Sequence, residues 1–197
     1  MNAHNTSVST KRLDLGLLAV ADVEDVYQYG RDPEVSRTTS WPIHRSIKDA
    51  QDYVSFAVAS DSDLPGSLRH TWAIRLREEA RVIGAIDLVQ DNDLQAHTDY
   101  VLARSCWNRG LMTEAVQAVV SWGFNRLHTL ERIRSGCLTA NVGSWRVLEK
   151  SGFRLVSRQR TRFGAKFDHQ ELEVCHYEVS RSDWVATEHR GPHPTAG

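Results

Sequence analysis

The sequence has few cysteines and no long apolar run. The three cysteines, Cys106, Cys137 and Cys175, stand far apart and form no CxxC pair, so we expect neither a disulfide framework nor a zinc site. No apolar stretch approaches the roughly 20 residues that a membrane-spanning helix needs, and the N-terminus has no apolar signal-peptide segment. These absences predict a cytoplasmic protein that binds no metal and does not enter a membrane.

The sequence also lacks an excess of charge of either sign. It has 24 Lys and Arg residues against 25 Asp and Glu residues, which gives a formal net charge of −1. Such a balance gives no electrostatic reason to bind nucleic acid or an anionic membrane. Apolar residues make up 41% of the 197 residues, which is enough for one globular domain with a substantial core.

Apolar residues alternate in some segments and form wide stripes in others, which predicts strands and helices in turn along the chain. The pattern predicts a single α/β domain over residues 11–185, with a mixed, mainly antiparallel twisted sheet flanked by about four helices. Residues 1–10 and 186–197 are expected to be disordered tails. Strands are expected near residues 12–18, 70–77, 82–90, 97–103, 132–139, 154–158 and 172–180.

A loop between a predicted strand and a predicted helix precedes Leu111, where the apolar residues change from alternation to a helical stripe. The first turn of a helix leaves backbone N–H groups without partners, and the helix dipole adds positive charge there, so a phosphate can bind directly. Gly110 leaves the approach open, Asn108 tolerates left-handed backbone angles, and Arg104 and Arg109 add cationic donors. This loop is a candidate phosphate site, although loops of this composition also occur without a ligand.

A second segment predicts a short helix with a cap at each end. Asn141 can accept a hydrogen bond from a backbone N–H two or three residues on, and Gly152 suits a left-handed C-terminal cap. Ser144 shares the first turn with Asn141, so two polar side chains lie close together. Capping alone would explain both polar residues, and a functional role is the alternative. The apolar residues that would bury this helix are Val147, Leu148 and Phe153.

The two segments together resemble a known family. Residues 107–115 read WNRGLMTEA and residues 141–153 read NVGSWRVLEKSGF. In this order and at this separation they resemble the GNAT superfamily of acyl-CoA-dependent N-acetyltransferases. Segments 11–13, 32–35 and 41–42 resemble the start of the branch that acetylates the N-terminal amine of ribosomal proteins. The resemblance covers nearly the whole chain and implies the same α/β fold.

The resemblance implies acetyl-CoA as co-substrate and direct attack of a primary amine on the thioester. Ser144 would protonate the CoA sulfur, and Asn141 would orient the cofactor or the serine. Backbone groups of the preceding strand and of the loop would hold the pantetheine and the pyrophosphate. The cofactor-binding residues expected on this basis are Val101, Leu102, Ala103, Arg104, Asn108, Arg109, Gly110, Leu111, Met112, Thr113 and Asn141.

The base that would take the proton of the attacking amine is assigned to His97 or Asp99. His97 stands where this branch carries a carboxylate, and Asp99 follows two residues on, on the same strand face. A histidine takes a proton near neutral pH because its ordinary pKa is about 6.5. The plain alternative for His97 is a partly exposed strand residue.

The acceptor is expected to be a protein N-terminus or a small-molecule amine, bound near Trp41 and Arg37. Two other functions remain open. One is a transferase with another donor such as succinyl-CoA, whose extra carboxylate would pair with Arg37 or Arg45, and the other is a noncatalytic acyl-CoA sensor. Residues 158–166, RQRTRFGAK, are expected to form a solvated loop between strands, or else to contact an acidic substrate or the 3′-phosphate of the cofactor. The chain is expected to be a monomer or a homodimer.

Overall fold

The computed structural model describes residues 6–37, 39–64 and 66–188. No helix within these ranges combines the length and the apolar character required to cross a membrane. The strands are β1 (Val8–Ser9), β2 (Leu13–Leu17), β3 (Arg69–Leu76), β4 (Val82–Asn92), β5 (Gln95–His97), β6 (Tyr100–Leu102), β7 (Arg132–Leu138), β8 (Arg154–Arg162) and β9 (Glu171–Ser180). The helices are α1 (Val23–Gly30), α2 (Pro33–Ser36), α3 (Ile47–Ala59), α4 (Leu111–Arg126), α5 (Val142–Lys150) and α6 (Arg181–Glu188).

These strands form one mixed, mainly antiparallel sheet, which confirms the predicted fold class. The strand order is β1-β2-β3-β4-β5-β7-β9-β8, and β6 pairs with β4 beside β5. Every pairing is antiparallel except that between β5 and β7. A parallel pair needs a long crossover connection, and here α4 lies in that connection.

Helix α4 covers one face of the sheet because its apolar residues form a stripe at helical spacing. The stripe packs into a core that contains Trp72 of β3, which is fully buried. Helices α1 and α3 cover the opposite face, where Val26 and Val54 are fully buried in a second core. The stripe predicted for α4 is confirmed, and its buried members include Leu111, Met112, Ala115, Val116, Val119, Val120 and Phe124.

The segment expected to be one strand at 97–103 is two strands, because Thr98 and Asp99 interrupt it. Thr98 donates its backbone N–H to the carbonyl of Arg134 in β7 at 2.9 Å. Beyond that bond β6 pairs with β4 and separates from β7. Three polar residues at 97–99 run directly into four apolar residues at 100–103, and this pattern does not show that the chain changes its partner strand there.

Strand β8 extends to Arg162, which corrects the expectation of a loop from residue 158 onward. It is an edge strand paired with β9, and nearly all of its residues are exposed. An edge strand exposed on both faces has no apolar alternation to mark it, and charged side chains are common on such strands. The arginines of this segment therefore belong to a strand.

Parts of both expected tails are ordered. Val8–Ser9 pair with β2, and α6 runs to Glu188, which corrects the expected limits of disorder. The Trp72 indole N–H also donates to the Thr6 carbonyl, and Arg181 donates to the Leu130 carbonyl, and local composition does not show these contacts with distant parts of the chain. The ends of the two tails, residues 1–5 and 189–197, lie outside the described residues.

Candidate active site

A cavity opens where β6 and β7 separate. Its volume is about 360 Å³, and side chains of β4, β6, β7, α3 and α5 line it. Successive residues of an extended chain point to opposite faces of a sheet, so Asp99 and Tyr100 project to different sides. Both line the cavity, which therefore reaches through the sheet from one face to the other.

Ser144 and Tyr100 meet on the face that carries α4 and α5. The two hydroxyl oxygens are 2.9 Å apart, and Tyr100 also lies 3.0 Å from the Ser144 carbonyl oxygen. Asn141 accepts a hydrogen bond from the Ser144 N–H at 3.1 Å, which confirms the predicted cap of α5. Burial raises the pKa of Tyr100, so its hydroxyl stays protonated. The cavity lining includes both Ser144 and Asn141.

Two carboxyl groups lie on the opposite face of the sheet. Asp99 donates its backbone N–H to Oδ1 of Asp87 at 2.7 Å, and both residues line the cavity. Burial and the nearby charge of Asp99 raise the pKa of Asp87 to about 7. Burial also raises the pKa of Asp99, and it raises the pKa of Tyr53 to about 12. A carboxyl group with a pKa near 7 can take and release a proton at neutral pH.

His97, one of the two candidate bases, is not among the residues that line the cavity. Its Nδ1 lies 2.7 Å from Oδ1 of Asp91, and 39% of its side chain is exposed. It lies on β5, where the sheet is still closed by pairing with β7. Sequence reasoning missed Asp87, because its link to Asp99 joins two strands. The local signal was one acidic residue inside the otherwise apolar run of β4.

Backbone groups of β6 also face the gap. The carbonyl of Asp99 and the N–H of Ala103 both bond to β4, and Val101 between them pairs with the same strand. Alternate residues of an antiparallel strand direct their backbone groups to opposite sides. The backbone groups of Tyr100 and Leu102 therefore point toward the gap. Of the strand residues expected to bind the cofactor, Leu102 offers a backbone N–H there, whereas Val101 and Ala103 do not.

The loop before α4 has the backbone conformation expected of a phosphate site. Asn108 and Gly110 adopt left-handed angles, with φ of 59° and 72°, and no side chain caps the helix. Glu114 donates the first intrahelical hydrogen bond, to the Gly110 carbonyl at 3.2 Å. The preceding N–H groups, which an α-helix leaves without intrahelical partners, are those of Leu111, Met112 and Thr113. The side chains of the first two are buried, so these residues would bind a ligand through the backbone.

Contacts of two side chains, which the sequence did not predict, hold this loop and the start of α4 in place. Trp107 donates its indole N–H to the carbonyl of Leu102 at 2.8 Å. Arg12 donates Nη1 to the Arg109 carbonyl at 2.8 Å and pairs with the Glu114 carboxylate at 2.7 Å. The arginine thus offsets the negative charge that Glu114 places in the first turn of α4.

The two arginines of the loop border a second cavity. Arg104 and Arg109 line this space of about 620 Å³, which lies between α1 and the loop. Arg81 and Asp25 also line it, and their side chains are 3.4 Å apart. Both predicted cationic residues therefore flank the loop, on the side that faces α1.

Aromatic side chains border the first cavity together with the carboxyl groups. Trp41 and Tyr53 line it from the α1–α3 side, and Phe163 and Phe167 line it from the segment between β8 and β9. The ring centres of the two phenylalanines are 5.1 Å apart. The lining side chains can therefore contact an apolar body next to a cationic group.

Of the two residues expected to bind the acceptor, Trp41 lines the cavity and Arg37 does not. Nε of Arg37 lies 3.3 Å from the Glu34 carboxylate, and 61% of the Arg37 side chain is exposed. Among the described residues, those that line the cavity include no lysine or arginine. The cavity thus has no cation for the extra carboxylate of a succinyl donor.

The three cysteines, Cys106, Cys137 and Cys175, are free and buried. Burial raises the pKa of Cys137, which lines the cavity, to about 11, so this thiol stays protonated and is a poor nucleophile. Across the part of the chain that the structure describes, no three His, Cys, Asp or Glu side chains group as metal ligands.

Comparison with known proteins agrees with this architecture. The family described as acetyltransferase (GNAT) domain matches residues 12–154. The uncharacterized N-acetyltransferase p20 of Bacillus licheniformis is 28% identical over 146 residues, which are 73% of this chain and 80% of p20.

Solved structures share the fold at low sequence identity. A GNAT-family acetyltransferase from Bacillus anthracis superimposes with a TM-score of 0.77 at 20% identity, over 90% of this chain and 99% of that chain. The ribosomal L7/L12 α-N-protein acetyltransferase RimL in complex with coenzyme A gives a TM-score of 0.75 at 15% identity, over 88% and 97%. Because the family match spans more than half of the sequence, this chain belongs to the GNAT family of acetyl-CoA-dependent N-acetyltransferases.

Proposed function

We propose that this protein transfers the acetyl group of acetyl-CoA to a primary amine by direct attack of the amine on the thioester. The observation that carries the proposal is the cavity through the sheet. It joins the Ser144 hydroxyl on one face to the carboxyl groups of Asp87 and Asp99 on the other. A hydrogen-bond donor for the leaving sulfur and a base for the incoming amine thus border one space from opposite sides.

The residues on the face of α4 and α5 fit the cofactor. The open N–H groups at the start of α4 suit a pyrophosphate, and Arg104 and Arg109 add positive charge to the same loop from the side that faces α1. Backbone groups of Tyr100 and Leu102 face the gap, where they can pair with the amides of a pantetheine arm. Asn141 caps the helix that presents the serine, so it is a positioning residue. The bound cofactor supplies the electrophilic thioester carbonyl.

Asp87 is the base of the proposed reaction. An alkylammonium, with an ordinary pKa of roughly 10, must lose a proton before its nitrogen can attack. The Asp87 carboxylate, whose pKa is raised to about 7, takes that proton, and Asp99 adds negative charge that holds the cation. We place the base at this pair and not at His97, because His97 lies outside the cavity lining.

Ser144 is the donor to the leaving group. A thiolate has an ordinary pKa near 8.5, so a hydrogen bond or a proton from Ser144 Oγ stabilises it as the carbon–sulfur bond breaks. Tyr100 orients this hydroxyl, since the two oxygens lie 2.9 Å apart. The raised pKa of Tyr100 keeps its hydroxyl a donor throughout.

The acceptor is a small-molecule amine or, as the second candidate, a protein N-terminus. The second candidate is favoured by the resemblance of residues 107–115 and 141–153 to the branch that acetylates ribosomal proteins. Succinyl-CoA is disfavoured as a donor by the absence of lysine and arginine among the described residues that line the cavity. The paired acid and base groups disfavour a noncatalytic sensor. Three free cysteines fit a reducing compartment, so we place the reaction in the cytoplasm.

The test is to incubate the purified protein with acetyl-, propionyl- or succinyl-CoA and a panel of small amines and N-terminal peptides, and to measure released thiol. We expect turnover with acetyl-CoA and a strong loss in Ser144→Ala. Binding of CoA, measured by calorimetry, without thiol release on any acceptor would indicate a sensor. Absence of CoA binding would contradict the assignment of the α4 N-terminus.

A further inference from the structure

Lys166 joins the two segments that border the acceptor side of the cavity. It lies between β8 and β9, and its ammonium group donates to the backbone carbonyls of Ser36 and Thr39. It also donates to the Trp41 carbonyl at 2.7 Å, and Oγ1 of Thr39 lies 3.1 Å from the same nitrogen. Four oxygens of one segment thus surround a single side chain of the other.

The chemistry of this contact is that of an ammonium group, although burial lowers the pKa of Lys166 to about 8. An ammonium has three N–H donors and no acceptor, and here the acceptors nearest to it are the backbone carbonyls of Ser36, Thr39 and Trp41. Among the described residues, no carboxylate lies within ion-pair distance of Lys166. The ammonium also lies 4.9 Å from the centre of the Phe167 ring. The lysine side chain therefore binds the backbone carbonyls of the opposite segment and not a carboxylate.

Both joined segments line the cavity. Thr39 and Trp41 line it from one segment, and Phe163 and Phe167 line it from the other. A polypeptide acceptor that ran between the two segments would have to pass the point where Lys166 joins them. A compact amine would not have to separate them.

We propose that Lys166 closes the acceptor side of the cavity and that the acceptor is a small cationic amine with an apolar body. This inference rests on the proposed function and names the acceptor class of the same site. Lys166 is a positioning residue, since it acts by holding Trp41 and Phe167 in place.

The lining of the cavity fits such an acceptor. Asp87 and Asp99 supply negative charge for an ammonium, and aromatic rings border the same space. A cation beside aromatic faces is bound by charge and by the ring quadrupoles. No lining side chain among the described residues is a lysine or an arginine, so a carboxylate next to the amine, as in a free amino acid, finds no cationic partner in that lining.

The experiment compares the wild type with Lys166→Met and Lys166→Arg, and uses Lys48→Met as the matched control. Lys48 is an exposed lysine paired with Asp52, outside the cavity. Amide hydrogen exchange of Thr39, whose N–H donates to the Ser36 carbonyl at 3.2 Å, reports the contact made by Lys166 without any turnover. We expect faster exchange there in Lys166→Met and unchanged exchange in β7, which shows that the fold is retained. Unchanged exchange of the Thr39 amide would overturn the role of Lys166.

The second readout is acetylation of 2-phenylethylamine against a hexapeptide with a free N-terminus. For the wild type we expect a preference of at least about tenfold in kcat/KM for the small amine. In Lys166→Met we expect KM for the small amine to rise about tenfold with kcat nearly unchanged, since the chemical groups stay in place. Lys166→Arg keeps the charge but has a planar donor group, so its KM for the small amine should lie between those of the wild type and Lys166→Met.

The outcomes separate the inference from the proposed function. A wild type that acetylates the peptide at least as well as the small amine would overturn the acceptor class while supporting acetyl transfer. Faster exchange in Lys166→Met, with no turnover on either acceptor by the wild type, would overturn the proposed function and the acceptor class. It would support only the structural contact between Lys166 and the opposite segment.

Discussion

The backbone N–H of Asp99 donates to the side-chain oxygen of Asp87 over 2.7 Å, which holds two carboxyl groups together at a break in the sheet. The bond joins β4 to the residue just before β6, where the sheet opens toward β7. The same break exposes backbone groups of β6 and creates the cavity. One irregularity in strand pairing thus supplies the base, the cofactor-facing backbone and the space between them.

Replacing Asp87 with Asn should stabilise the fold at alkaline pH. A carboxyl whose pKa is raised in the folded state, here to about 7, contributes stability that is present below the pKa of the unfolded chain. That contribution is lost as pH rises through the folded value. At pH 8 the variant should therefore gain roughly 1–2 kcal/mol, or about 2–8 °C in Tm. Thermal unfolding at pH 8 and pH 4 checks this, and a gain at pH 4 as large as that at pH 8 would contradict it.

The pH dependence of kcat/KM should show an acid limb that belongs to Asp87. The base must be ionised, so activity should fall about tenfold per pH unit below pH 7. Ser144→Ala should keep the same limb at lower activity, because a serine hydroxyl does not titrate in this range. Initial rates from pH 5 to 9 test the point. An acid limb that survives unchanged in Asp87→Asn would assign the titration to another group.

Ser144 and Tyr100 should act as one unit. Ser144→Ala should lower kcat by about 10²-fold, and Tyr100→Phe by about tenfold, because the tyrosine acts through the serine. The double variant should then be little worse than Ser144→Ala alone. A double-mutant cycle on kcat measures this coupling, and multiplicative losses would show that the two hydroxyls work independently.

Gly110→Ala should weaken cofactor binding. Its φ of 72° is a conformation that costs an alanine about 1 kcal/mol, and a shift would disturb the open N–H groups of α4. We expect KM for acetyl-CoA to rise about tenfold with a smaller change in kcat. Gly16→Ala is the control, since a methyl group there makes ordinary contact with Arg75 at 3.8 Å. Equal effects of the two substitutions on KM would argue against the loop as the phosphate site.

Local features were predictable from the sequence, and contacts between distant segments were not. The cap of α5 at Asn141 and the left-handed angles of Asn108 and Gly110 follow from residue types in short windows. The link of Asp87 to Asp99 depends on the register between two strands, and the contacts of Lys166 join segments about 130 residues apart.

The choice of the base also depended on a contact between distant segments, which the sequence does not show. His97 and Asp99 share a strand face by simple alternation, but the strand breaks between them. The break leaves Asp99 in the cavity and His97 beside Asp91. Alternation cannot report such a break, because it depends on where a neighbouring strand departs.

The most direct measurement is the kcat/KM for acetyl transfer of three proteins side by side: wild type, Asp87→Asn and His97→Gln. The same primary amine and saturating acetyl-CoA should be used for all three. We expect Asp87→Asn to lose about 10²-fold or more, as removal of a general base does, and His97→Gln to stay within about threefold of the wild type. A large loss in His97→Gln together with near-normal activity in Asp87→Asn would contradict the account.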